Sequence, residues 1–141
     1  MNGLPAAVVG TVLPSVTLPA LTRATLALYA GGSGDHIPLH IDSDFAKSVG
    51  HQDVFMHGML GAAYVARMLT EWVPQERLVS IDVRFRAITY PGESLHATGT
   101  VVATDVDGVV GNTRVEVSLT NAEGEVKLAG SAHINLAFDE I

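Results

Sequence analysis

Between Val79 and Leu136, apolar side chains recur on every second residue in stretch after stretch, and this alternation constrains the chain more than any other feature. In residues 79–87, Val79, Ile81, Val83, Phe85 and Ala87 alternate with Ser80, Asp82, Arg84 and Arg86. That is the pattern of a strand with one dry face and one wet face. Pro91-Gly92 marks a turn. Leu95, Ala97, Gly99, Val101 and Ala103 then outline a second strand. Asp107-Gly108 and Gly111-Asn112 punctuate the next connection, and Val115, Val117 and Leu119 give a third strand. After a turn around Gly124, a fourth runs through Val126, Leu128, Gly130, Ala132, Ile134 and Leu136. Short links between alternating strands predict an antiparallel meander.

The segment before the strands has a different period. Residues 57–73 contain helix formers, no proline, and apolar side chains on nearly every face, and Pro74 ends them. A helix apolar all round is expected to be buried. The reading is therefore α+β, with one long central helix wrapped by an antiparallel β-sheet. Trp72, Met68 and Tyr64 follow helical spacing and are expected in the core or lining a tunnel beside it. The first third is less regular. Residues 13–18 suit an edge strand despite Pro14. Thr22 is a candidate N-cap for a short helix through Ala30, ended by Gly31-Gly32. Asp42 is a candidate cap for a second short helix, residues 43–49, ended by Gly50.

The 141 residues suit a single domain over residues 1–141. There is no cysteine, so disulfides, zinc–thiolate sites and a cysteine nucleophile are excluded. The net charge of −7 sets the chain against nucleic acid as a partner. The longest apolar stretch, around Met59 to Leu69, is interrupted by Arg67, so no membrane span is expected. The first residues lack the basic start of a secretory signal. The expectation is a soluble, cytoplasmic protein.

The candidate chemistry lies in the Gly- and Pro-rich segment between the short helices. Asp35 and His40 are five residues apart around Pro38, which stiffens the loop. A carboxylate and an imidazole that converge can hold a water and move its protons, and histidine titrates near neutral pH. Spacing alone equally allows an aspartate that caps the loop and a histidine that packs. The second feature is His57-Gly58-Met59-Leu60, at the start of the long helix. First-turn N–H groups lack helical acceptors and carry the positive end of the dipole. With no side chain at Gly58, a carbonyl oxygen could approach its N–H as in an oxyanion site. Alternatively, Gly58 only lets another backbone pack closely. His36 and His40 are four apart beside Asp35, but Pro38 argues against a helical metal-ligand pair. His51 is expected in a loop, and His96 and His133 on polar strand faces.

The run from Tyr29 through Gly34-Asp35-His36-Ile37-Pro38-Leu39-His40 resembles the signature of MaoC-like, (R)-specific enoyl-CoA hydratases, an aromatic and small residues followed by G-D-x-N-P-[LIV]-H. His57-Gly58-Met59-Leu60 resembles that family's second hallmark. Leu21-Thr22-Arg23 and Val83-Arg84-Phe85 also resemble family features, and the similarity extends from about Leu18 to Leu136. The resemblance implies a hotdog fold, a homodimer with the site between subunits, and a CoA or acyl-carrier thioester as substrate. A heterodimer or larger assembly is the alternative. It implies Asp35 and His40 as the catalytic acid–base pair and Gly58 N–H as the thioester oxyanion donor. His57, Met59, Ile37 and Pro38 would stand on the substrate-binding side. No metal or redox cofactor is implied.

Two positions depart from the family pattern. Ile37 replaces its asparagine, which makes the mouth of the pocket more apolar, and Ala63 replaces a small polar residue on the helix. Arg84 and Arg86 share a polar face and could reach the phosphates of CoA or a carrier protein, or could simply form a solvated face or a dimer contact. Three other readings compete. A hotdog thioesterase would need a carboxylate on the helix, where the only acid is Glu71, at the far end. A subunit of a heteromeric dehydratase would need a partner chain. A scaffold without chemistry would leave the Asp35, His40 and Gly58 coincidence unexplained.

Overall fold

A computed structural model describes residues 4–137. Its elements are β1 (Val16–Thr17), α1 (Arg23–Ser33), α2 (Ser43–Ser48), α3 (Gly58–Trp72), β2 (Leu78–Phe85), β3 (Leu95–Ala103), β4 (Asn112–Asn121) and β5 (Val126–Asn135). All strand pairs are antiparallel, in one sheet of order β1-β3-β4-β5-β2. The sheet wraps α3, whose Leu60, Gly61, Val65, Met68 and Leu69 are buried against it. Gly61 permits that closeness: a Cβ there would meet Leu128, Met56 and Leu119 at 3.0–3.3 Å. No helix among the described residues is long and apolar enough to cross a membrane.

Three expectations about the sheet need correction. The meander holds only for β3, β4 and β5. β2 does not pair with its sequence neighbour β3; it crosses to the far side of β5 and forms an edge. Pro91-Gly92 does turn the chain, but within this longer crossing. The alternation in β2 also breaks at its start. A register shift between Leu78 and Ser80 puts Leu78 in the inward place and leaves Val79 exposed. Finally, the predicted edge strand at residues 13–18 shrinks to β1, with an isolated bridge from Val12 to Thr100.

The helices depart from expectation in two ways. Thr22 does cap α1, its Oγ1 accepting from Thr25 N–H at 3.1 Å. Gly31 and Gly32 continue that helix, however, and Gly34 ends it in the left-handed region at φ 77°, which suits glycine. Asp42 caps α2 through Oδ1, which accepts from the N–H groups of Asp44 and Phe45. α3 is not buried all round. Met59, Ala63, Arg67 and Glu71, each four residues from the last, form an exposed stripe. Only the second half of that stripe is charged, so its first half leaves apolar surface open. Met68 is buried, while Tyr64 and Trp72 pack part-buried against the core.

One ionic cluster, centred on a buried lysine, fell outside the strand pattern. A bulge between β4 and β5 leaves both Lys127 and Leu128 facing inward. Lys127 Nζ donates to the Ile88 carbonyl at 2.8 Å and pairs with Glu93 at 2.8 Å and with Glu125. Glu93 also accepts from Asn121 Nδ2 and Tyr90 N–H. The cluster clamps the crossing between β2 and β3 onto the β4–β5 hairpin.

Candidate active site

The glycine-terminated end of α1 hands the chain to a short loop and then to a single 3₁₀ turn, Pro38–His40, with Pro38 in its first position. Two local bonds shape the loop. Asp35 N–H donates to Ser33 Oγ at 3.2 Å, and Asp35 Oδ1 accepts from Ile37 N–H at 3.3 Å. The capping role that spacing allowed for Asp35 is therefore real, and it leaves Oδ2 free of it. His40 ends the 3₁₀ turn, nearly buried, with its Nε2 4.0 Å from Asp35 Oδ2. Its Nδ1 lies 2.7 Å from the Phe55 carbonyl. A carbonyl can only accept, so Nδ1 carries a hydrogen, and Nε2 is the nitrogen turned toward the Asp35 carboxylate.

His57 joins the two. It is 1% exposed, and its ring stacks on His40 with centroids 3.8 Å apart and planes 24° apart. Tyr29 meets it edge-on at 4.8 Å. His57 Nε2 lies 3.1 Å from the Asp35 carbonyl, and its Nδ1 is buried without a partner. Burial lowers the His57 pKa below 6.5 and the neighbouring His40 adds to this; the bond to the Asp35 carbonyl and the Asp35 carboxylate oppose it.

Asp35, His40 and His57 offer ligand atoms all within 4.8 Å of one another. Stacked rings hold their in-plane lone pairs in nearly parallel planes instead of aiming them at one ion, and one nitrogen of each ring already faces a carbonyl. The arrangement favours proton handling over ligation. His36 stays outside the cluster, its Nδ1 turned to the Gly34 carbonyl at 3.2 Å.

Gly58 opens α3, exposed, and among the described residues no backbone or side-chain acceptor takes its N–H. It is not packed against another backbone. Phe85 closes over it instead: a Cβ on Gly58 would meet that ring at 3.1–3.2 Å. Phe85, 55% exposed, stands between two clefts. One, of about 410 Å³, is lined by Gly58, Phe55, Met56, Arg86, Ile88 and Thr89 among others. The other, of about 560 Å³, is lined by Tyr29, Met59, Ala62, Ala63, Ala66 and Val83 among others. Tyr64, Met68 and Trp72 do not line it. Ile37 is 52% exposed beside Pro38.

The expected pair, Asp35 and His40, is brought together, as is His57, while Gly58 and Met59 face the clefts. Arg84 is exposed and Arg86 borders the first cleft. His51 lies in a loop against Phe55, and His96 and His133 are half-buried on the outer sheet face. Glu71 lies at the far end of α3, ion-paired with Arg67 at 2.7 Å. Sequence reasoning missed the Phe55 carbonyl, which no side-chain motif announces, and the wedge role of Phe85, which its inward strand position could have suggested.

A family profile described as the MaoC like domain matches residues 7–123. The chain is 35% identical over 85 residues to the peroxisomal multifunctional enzyme type 2 of Mus musculus, a match covering 58% of this chain and 12% of that protein. It is 28% identical over 83 residues to an (R)-specific enoyl-CoA hydratase of Rhodospirillum rubrum, covering 57% of this chain and 58% of that one. Each match takes in less than two thirds of the relative's length. Among solved structures, an (R)-hydratase from A. caviae involved in PHA biosynthesis superposes with a TM-score of 0.82 at 22% identity, covering 94% of this chain and 98% of that chain. The shared fold is the hotdog.

Proposed function

The chain belongs to the family of the MaoC like domain, and from that premise we propose that it adds water reversibly across a trans-2-enoyl thioester. The product is a 3-hydroxyacyl thioester, of (R) configuration. The observation that carries this reading is the 4.0 Å gap between His40 Nε2 and Asp35 Oδ2. At that separation, one water about 2.8 Å from each acceptor subtends about 90° between them, and slightly bent hydrogen bonds let it point a hydrogen at both. Its lone pairs then face outward, toward the β-carbon of a bound enoyl group.

Gly58 N–H, at the positive end of α3, would donate to the thioester oxygen and stabilise the enolate that forms as water attacks. One of the pair takes a proton from the attacking water, and the pair returns a proton to the α-carbon, so the sum is addition of one water. Dehydration is the reverse. The thioester itself acidifies the α-carbon, so no step is assigned to a metal or redox cofactor. The alanine-lined cleft beside Met59 would take the acyl chain, and the cleft bordered by Arg86 the pantetheine side of a CoA or acyl-carrier thioester. We also propose a homodimer, because the open β2 edge and the apolar first half of the α3 stripe adjoin the site and are left uncovered by this chain.

The test is the loss of enoyl-thioester ultraviolet absorbance with purified protein on crotonyl-CoA and on a longer enoyl-CoA. Rapid loss, with (R)-3-hydroxyacyl-CoA as product, is the expected outcome. Release of free thiol without hydroxyacyl product would point to a thioesterase instead.

A further inference from the structure

We propose that His57 is a positioning residue that locks the acid–base loop to the carbonyl-binding start of α3; the inference rests on the function proposed above. His57 occupies the N-cap position of α3 but makes no side-chain capping bond. Its side chain instead crosses to the Asp35 carbonyl, 22 residues earlier, with Nε2 at 3.1 Å. The same residue stacks on His40 and immediately precedes Gly58. It is 1% exposed, so it touches both members of the pair while offering almost no surface to substrate.

The other bonds of Asp35 explain why such a tie is needed. Those to Ser33 and Ile37 each span two residues, so they shape the loop without holding it to anything else. The loop also follows Gly31, Gly32 and Gly34, all exposed. His40 is anchored by the Phe55 carbonyl, two residues before His57. Both members of the pair are therefore referred to the same short stretch, residues 55–57, that delivers the Gly58 N–H. The water, its two acceptors and the oxyanion donor are registered against one another through this stretch. The proton on His57 is assigned by its partner: a carbonyl accepts, so Nε2 carries the hydrogen, and the buried Nδ1 holds a lone pair, which is less costly to leave unpaired than an N–H.

Two substitutions separate the bond from the ring. His57→Phe keeps a flat ring against His40 and removes the donor. His57→Gln returns an N–H near the place of Nε2. Displacement of a catalytic group by about 1 Å can cost about 100-fold, so the Phe variant is expected to lose about 10- to 100-fold in kcat with KM within about threefold. The Gln variant is expected to recover to within about threefold of the parent. A Phe variant as active as the parent, or a Gln variant no better than Phe at equal folding stability, would overturn the proposal. Imidazole nitrogen-15 spectra at neutral pH test it without any substrate. His57 should carry its hydrogen on Nε2 and His40 on Nδ1; a His57 hydrogen on Nδ1 would sink the tether even if the hydratase activity is present. Absence of turnover with the expected spectra would instead count against the function alone.

Discussion

The Phe55 carbonyl lies 2.7 Å from His40 Nδ1, and that contact selects which nitrogen of His40 is left for chemistry. With a hydrogen held on Nδ1, Nε2 is the nitrogen that faces Asp35. The residue supplying the carbonyl belongs to the segment leading into α3, so the hydrogen on His40 Nδ1 and the position of the helix start are set together.

If the pair acts as described, Asp35→Asn and His40→Ala should each lower kcat by at least about 100-fold. The Asp35 side chain is 41% exposed, so its substitution should move stability by no more than about 0.5 kcal/mol. Enoyl-thioester absorbance and denaturant unfolding on the same samples check both halves. Full activity in either variant would remove that residue from the mechanism.

Gly58→Ala should separate activity from stability. The added methyl meets the Phe85 ring at 3.1–3.2 Å, and that ring, being largely exposed, can give by a few tenths of an ångström. Alanine is the better helix former by up to about 1 kcal/mol, so Tm should not fall. The methyl and the displaced ring crowd the N–H, and kcat/KM should fall about tenfold or more if that N–H binds the thioester oxygen. An unchanged kcat/KM would assign the oxyanion to another donor.

Acid should weaken the fold through His57. Its pKa is lowered in the folded state, by burial first, below the 6.5 expected of the unfolded chain. Its contribution to stability is full above 6.5 and is lost as pH falls from there through the lowered folded value, because the unfolded chain takes up the proton first. Denaturant midpoints measured in steps between pH 7.5 and pH 5 should fall, and His57→Gln should flatten that slope. Parallel slopes for parent and variant would assign the acid sensitivity elsewhere.

Lys127 should be worth more than its surface-like sequence position suggests. Lys127→Met leaves Glu93 without its buried cation, and removal of one partner of such a pair costs about 3 kcal/mol or more. Burial alone would raise the Glu93 carboxyl, but hydrogen bonds from Lys127, Asn121 and Tyr90 N–H prevail and hold it below its ordinary value. The stability it confers is present above the ordinary carboxylate range and lost as pH falls through the depressed value. Thermal unfolding against pH should show this loss in the parent and a smaller one in Lys127→Met.

The β2 edge gives a test of assembly. Val79 is 65% exposed at the open edge strand. A lysine there is a device that blocks edge pairing, so Val79→Lys should shift a dimer toward monomer in light scattering if a second copy pairs along this edge. An unchanged dimer mass would place the interface on another face.

The errors in reading the chain share a cause. Alternation assigns faces to a strand but not neighbours, so β2 was expected beside β3 and is found beside β5. Alternation also fails wherever a bulge adds a residue, as at Val79 and Lys127. The stripe of Met59 and Ala63 could not be told from core-facing apolar positions, because helical periodicity records polarity and not what lies opposite. The site was more legible than the sheet: Asp35, His40, His57 and Gly58 lie in two short runs, each shaped by local constraints of glycine, proline or a helix start.

Local chemistry, written in the sequence alone, determined the element types, the loop that carries Asp35 and His40, and the free N–H at Gly58, because periodicity, capping and backbone freedom act over a few residues. Only the tertiary structure decided which carbonyl faces His40, which residue ties Asp35 to α3, and which strand borders the clefts. Those contacts join segments 15, 22 and some 45 residues apart, and such pairings depend on how the whole core packs rather than on any local preference.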